Sequence, residues 1–170
     1  EVGEKGEGNP GFGKASRTTI FDYWGVPAHQ RWMNDGAFDG GKSTAEEKQL
    51  RAYYTALMQF TRSAPALMGQ YRELHTVNSK SAGYDGKVFA FARWSADQKL
   101  LVVSNFSAAA GKSFDFDLSP VRADWHLPDG PNAFRDVLTG NRHTVIVAGD
   151  KASVPLILAP LQSVILERIP

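Results

Sequence analysis

Any chemistry in this chain must come from carboxylates, histidines and aromatic rings, because its 170 residues include no cysteine. That excludes disulfides, thiol nucleophiles and cysteine-ligated metals together. Asp35 and Asp39, in Asn34-Asp-Gly-Ala-Phe-Asp-Gly-Gly41, offer the oxygen ligands that calcium takes, but their spacing departs from the Asp-x-Asp-x-Asp-Gly pattern and favours a solvated turn. Glu1, Glu4 and Glu7 form a loop-borne carboxylate group of ordinary solvated acids. His29, His75, His126 and His143 are scattered, with none at i, i+4 or beside a carboxylate pair, so neither metal ligation nor general-base work is expected of them. The aromatic residues remain. Tyr23 and Trp24 in Phe21-Asp-Tyr-Trp-Gly25, and Trp32 beyond them, carry flat faces that either stack on a ligand or pack against neighbouring loops. Trp94 and Trp125 are either exposed binding aromatics or core, and Trp94, which ends an apolar run, is more simply core.

The elements that must position these residues fall into two regions. Residues 1–42 carry glycines at 3, 6, 8, 11, 13, 25, 36, 40 and 41 and read as a long loop, although Ile20, Phe21, Tyr23, Trp24, Trp32, Met33 and Phe38 need something to pack against. A helix should follow over 44–62. Ser43-Thr44-Ala45-Glu46-Glu47 is a capping box in either of two registers, and Leu50, Tyr53, Tyr54, Leu57 and Met58 fall on one face. Pro65 stops it by disfavouring helical geometry in the residue before. From Ala66 the period becomes twofold: Ser113-Phe114-Asp115-Phe116-Asp117-Leu118 alternates strictly, and Lys87–Trp94 and Lys99–Phe106 form a hairpin. Further strands are expected at Tyr71–Val77, Phe134–Leu138, His143–Val147, Val154–Leu158 and Ser163–Ile169. The expected fold is mainly β: an antiparallel sandwich of about seven to eight strands, Greek-key in type, over 66–170, after one amphipathic helix and a long loop in 1–65.

Composition excludes several function classes. A hydrophobic share of 42% and a charged share of 22% are those of a globular protein rather than a disordered, collagenous or coiled-coil chain. The 19 basic and 18 acidic side chains nearly cancel and form no basic run, so neither nucleic acid nor an anionic membrane is an expected partner. No apolar stretch approaches the roughly 20 residues of a membrane span.

Leu50-Arg-Ala-Tyr-Tyr-Thr-Ala-Leu57, then Arg62 and Pro65-Ala66-Leu67, then a glycine, Phe89-Ala-Phe-Ala-Arg93 and Leu100-Leu-Val-Val-Ser-Asn-Phe106 resemble, in order and spacing, the C-terminal region of the α-amylase family of glycoside hydrolases. Asp136-Val-Leu-Thr-Gly140 and Val164-Ile-Leu166 also fit. The resemblance implies that residues 1–65 are the end of a (β/α)8 barrel, namely the loop after its eighth strand and its final helix, and that 66–170 are the all-β domain that follows. Glycoside hydrolysis with retention needs a carboxylate pair about 5–5.5 Å apart, and in the family these groups lie upstream of Glu1. No catalytic residue is therefore assigned here, and the fragment alone is expected to be inactive. Tyr23 and Trp24 would border the active-site face, where they could form a platform for a sugar ring. No cofactor is expected in this fragment, although the parent could bind calcium elsewhere. The expected partners are an α-glucan in the parent and, within the chain, the barrel. A bacterial periplasmic or extracellular location is preferred to a cytoplasmic one. Two other readings stand beside this one, a carbohydrate-binding module and a protein interaction module. An excised chain exposing Tyr53, Tyr54 and Leu57 is expected to self-associate or to leave 1–42 disordered.

Overall fold

The computed structural model describes residues 27–169. Cα proximity divides the chain into two units, 1–59 and 60–170.

In the first unit, part of the expected loop is helical. Helix α1 spans Pro27–Met33, and a 3-10 turn follows at Asn34–Gly36. Proline suits a first helical position, where its missing N–H is no loss. Seven residues with one buried member, Ala28, carry no readable apolar stripe. What holds α1 is long-range: Arg31 Nε lies 3.1 Å from both carboxylate oxygens of Glu47, and its Nη2 also bonds Oε1. This fork geometry is the strong form of the ion pair. Helix α2, Ala45–Ser63, begins with the capping box in its Thr44 register: Glu47 N–H donates to Thr44 Oγ1 at 3.2 Å, and Thr44 N–H to Glu47 Oε2 at 2.9 Å. No residue of α2 is buried, and Tyr53, Tyr54 and Met58 are all exposed.

The second unit holds β1 (Gln70–Glu73), α3 (His75–Asn78), β2 (Val88–Trp94), β3 (Lys99–Asn105), β4 (Lys112–Asp117), α4 (Ser119–Arg122), β5 (Gly130–Asp136), β6 (Arg142–Ala148), β7 (Lys151–Leu158) and β8 (Ser163–Arg168). All pairings are antiparallel, in the order β1-β2-β3-β8-β5-β6-β7-β4. The meander β5-β6-β7 with β4 beside β7 is a Greek key. The eight strands form one sheet that curls on itself, its halves joined by β8, which pairs β3 through Ser163–Glu167 and β5 through Leu166–Arg168. Phe114, Phe116 and Leu118 share the buried face, as their alternation requires.

Two expected strands are displaced. The first ends at Glu73, because Glu73 Oε1 accepts the Thr76 N–H at 2.7 Å and starts a helical turn. Buried Asn78 then ties that turn to β4, donating to Leu74 O and Asp117 O and accepting from Asp117 N–H. The strand expected at Phe134–Leu138 runs Gly130–Asp136. Past that point the Asp136 carboxylate organises a turn, with Oδ1 accepting Leu138 N–H and Ile165 N–H, each at 3.2 Å, and Oδ2 accepting the Thr139 hydroxyl at 2.6 Å.

Trp125, fully buried just after α4, fills the core between the halves. It stacks on Phe134 of β5 at 6.1 Å and meets Trp94 of β2 edge-on at 6.5 Å. At the other end Tyr84 packs edge-on against Phe114 at 5.1 Å.

The two halves differ in their outer faces. Strands β4 and β7 alternate buried and exposed residues, as a sheet with one wet face does. Strand β2 alternates in burial as well, but in β2, β3 and β8 the runs Val88-Phe-Ala-Phe-Ala92, Leu100-Leu-Val-Val103 and Val164-Ile-Leu166 put apolar residues on the outer side too. With β1 beside them, their outer face presents Tyr71, Phe91 and Phe89 as a ladder with neighbouring rings 5.8 and 6.1 Å apart, continued by His75 stacked on Phe89 at 5.9 Å.

Trp125→Ala should lower unfolding stability by about 3–5 kcal/mol, and Asp136→Ala by about 2–4 kcal/mol, because buried N–H groups lose their acceptor. Urea titration of the chain followed by circular dichroism measures both, and losses under about 1 kcal/mol would contradict the roles given to these side chains.

Candidate functional site

Several sequence candidates are occupied by local structure. The face of Trp32 is covered by the Arg51 guanidinium, 3.5 Å from the ring centroid. Gly40 lies against the same ring at φ +70°, where an added Cβ would come within 2.4 Å of Cζ3. That indole packs on its own chain and is no open stacking platform. The acidic turn uses its carboxylates internally: Asp39 Oδ1 accepts Gly41 N–H at 2.8 Å and Asn34 Nδ2 at 2.7 Å, and Lys42 pairs with Asp35. The Gly41 amide, with Asn34 second, holds the Asp39 carboxyl below its usual pKa. Tyr23 and Trp24, with Glu1, Glu4 and Glu7, lie outside the described residues.

In the β domain, His75 Nδ1 lies 2.8 Å from Val88 O and 3.1 Å from the Tyr84 hydroxyl. Burial, with a contribution from the charge of Glu73, pushes the Tyr84 phenol well above its usual pKa and keeps it protonated. Trp125 is core and has no surface to offer a ligand. Trp94 is half-buried and lines a cleft.

The motif residues of the β domain prove to be structural joints. Arg93 Nη2 donates to Leu67 O, and Ala66 N–H donates to Gln98 Oε1, whose amide donates in turn to Glu167. The 3-10 turn Pro65–Met68 is thereby fastened to the sheet. Asn105 donates to Ala110 O and Ala159 O and accepts from Ser107 N–H, clamping two turns at one end of the domain. Gly69 is required by close approach, since a Cβ there would meet Trp94 O at 2.0 Å.

That close approach forms one wall of the cleft, about 500 Å³, lined by Gly69, Gln70, Trp94, Ser95, Ala96, Lys99, Asp124 and His126. Strand pairing sets Gln70 opposite Trp94, and Trp94 opposite Lys99. Asp124 and His126 come from the turn that plants Trp125 in the core. Asp124 Oδ2 lies 3.5 Å from Arg72 Nη2, and Lys99 Nζ donates to Ala96 O. The cleft thus joins an indole to one anionic, one cationic, one imidazole and one amide group. Sequence reasoning named Trp94 and His126 among these, and expected no metal or general-base role of His126. The Gln70, Lys99 and Asp124–His126 segments lie far apart in the chain, and nothing local marks them as neighbours.

The family model described as "Alpha amylase, C-terminal all-beta domain" matches residues 77–169, more than half of the chain. Among solved structures, a variant of AmyP crystallised with maltotriose is similar in fold, with a TM-score of 0.53 at 17% identity over 74% of this chain. An Anoxybacillus α-amylase gives 0.48 at 17% identity over 72%. The chain spans only 22% of the first and 23% of the second. No curated protein sequence matches it. With the matched segment covering β2 through β8 and the curled Greek-key sheet around it, the chain belongs to the family of α-amylase C-terminal all-β domains.

Proposed function

We propose that this chain is the C-terminal part of an α-amylase-family glycoside hydrolase acting on α-glucans, and that its β domain packs on the catalytic barrel and stabilises it. The observation that carries this reading is the difference between the two half-sheets. A half-sheet with one wet face alternates, whereas one covered on both faces is apolar throughout. The outer face of β1-β2-β3-β8 presents Tyr71, Phe89 and Phe91 beside the Pro65–Met68 turn, which Arg93 and Gln98 lash to the same strands. Tyr71 and Phe89 are 51% and 40% exposed, an apolar ladder that calls for a cover. A barrel preceding this turn in the parent is that cover, so the domain shields apolar surface and has no chemistry of its own.

On this reading the catalytic carboxylates lie upstream of Glu1, and Tyr23 and Trp24 contribute an aromatic subsite at the barrel's strand-end face. Pure chain should not hydrolyse starch or a chromogenic maltoside, and measurable turnover would refute the assignment of catalysis to upstream residues. Tyr71→Asp with Phe89→Asp should lower the Tm of the barrel-containing parent by several degrees. The same pair should cost the isolated chain about 1–2 kcal/mol in urea, the worth of its own ring pairs, and lower its Tm by less than that of the parent. Equal losses in both proteins would show that the ladder serves only the β domain's own stability.

A further inference from the structure

Strand β4 ends the eight-strand order, so one of its edges has no neighbouring strand. Such an edge is a row of N–H and C=O groups ready to pair with another chain. Along an antiparallel strand the residues alternate, one turning its backbone groups toward one neighbour and the next toward the other. In β4 the phase is fixed twice. Asp115 faces Pro155 across the β4–β7 ladder, and proline has no N–H to give to that pair. Asp117 turns both its N–H and its C=O away from β7, onto the Asn78 side chain. Ser113, Asp115 and Asp117 are therefore the residues whose backbone groups point to the free edge.

A strap lies along that edge. At one end the Asn78 amide accepts Asp117 N–H at 2.7 Å and donates to Asp117 O at 3.0 Å, the two bonds that a paired strand would make. At the other end Gly83, at φ +82°, lies so close that an added Cβ would come within 2.0 Å of Ser113 O, and Asp85 pairs with Lys112. Residues 78–85 thus run antiparallel to β4 and cover both ends of its edge. The strap spends its own N–H groups internally, Ser81 donating to Asn78 O at 2.9 Å and Tyr84 to Ser81 O at 3.1 Å. It covers an edge without becoming a new one. Between its two ends stands Asp115, whose side chain is exposed. If two β4 edges met antiparallel with their edge-facing residues opposed, Ser113 would face Asp117 of the second copy and Asp115 would face its own counterpart. Like charges directly opposite each other destabilise such a pair.

We infer that residues 78–85 and the Asp115 carboxylate form a two-part lock that keeps the β4 edge from pairing with the β4 edge of a second copy of this chain. The strap acts by occupying the ends of the edge, and the carboxylate by repelling its counterpart at the centre. The lock belongs to the β domain itself and does not rest on the proposed function.

Because the 170-residue chain has no cysteine, cross-linking tests the lock directly. Asp115→Cys removes the charge and puts the only thiol at the centre of the pairing, where facing Cα atoms stand about 5.5 Å apart, within disulfide reach. With the strap intact this variant should form disulfide dimers under oxidised glutathione no faster than Ile157→Cys, an equally solvent-facing position on β7. Adding Gly83→Ala or Asn78→Ala, each of which lifts one end of the strap, should speed dimer formation by Asp115→Cys about tenfold or more through access to the thiol. The rate for Ile157→Cys should not change. No acceleration, or equal acceleration at both positions, overturns the inference. Circular dichroism accompanies each variant, and loss of the sheet with both strap substitutions would make the strap a part of the fold rather than its cover, which overturns it as well. For the carboxylate, sedimentation velocity should show Gly83→Ala with Asp115→Asn associating about fivefold more tightly than Gly83→Ala alone, the worth of one cross-strand pair. Equal association would remove Asp115 from the lock and overturn the inference as stated.

Discussion

Strand β8 has to serve two partners, and the rest of the domain depends on how that is arranged. Along most of its length β8 pairs with β3, and at its end it pairs with β5. At Ile165 strand β5 has already turned away, which would leave a buried N–H and C=O without a ladder partner. Asp136 Oδ1 accepts that N–H at 3.2 Å, and Val137 N–H donates to that carbonyl at 2.8 Å. One carboxylate thus extends the ladder past the end of its strand and starts the β5–β6 turn. A buried carboxylate is expensive unless it is hydrogen-bonded. Here it accepts three hydrogen bonds, and the curl that brings the two half-sheets face to face begins at this point.

Once the halves face each other, the space between them has to be filled. Trp125 does this by bridging Phe134 and Trp94. The same insertion carries Asp124 and His126, its chain neighbours, to the edge where β1 and β2 meet. The cleft is therefore a by-product of core packing, in that the turn that buries an indole also delivers polar groups to the surface on either side of it. The other consequence of the curl is the contrast between outer faces, one of mixed character and one carrying the Tyr71, Phe91 and Phe89 ladder. That contrast gives the domain one side suited to water and one suited to a neighbour.

Much of the second unit was legible from residue order. Phe114-Asp-Phe116 announces a one-faced strand because side chains alternate at period two, and the structure buries both rings. The box at Thr44 and Glu47 starts a helix because both hydrogen bonds are local. Errors arose where distant groups decide. Helix α1, in a region expected to be loop, rests on Arg31 gripping Glu47, sixteen residues on. The early end of β1 and the early end of β5 come from carboxylates reaching backbone amides, competition that apolar periodicity does not register. Trp125 carried no sign of whether it was surface or core, because a single tryptophan in a polar segment has no periodicity.

By itself the sequence determined helix α2 with its Thr44 cap, most of the strands and the family resemblance, since all of these depend on neighbours within about a turn or on motif order. Only the tertiary structure decided that eight strands form a single curled sheet, that Asp136 and Asn105 are joints, and that Gln70, Trp94, Lys99, Asp124 and His126 share one cleft. Strand pairing and core insertion are long-range events, and proximity created by them leaves no mark on the chain at the positions it unites.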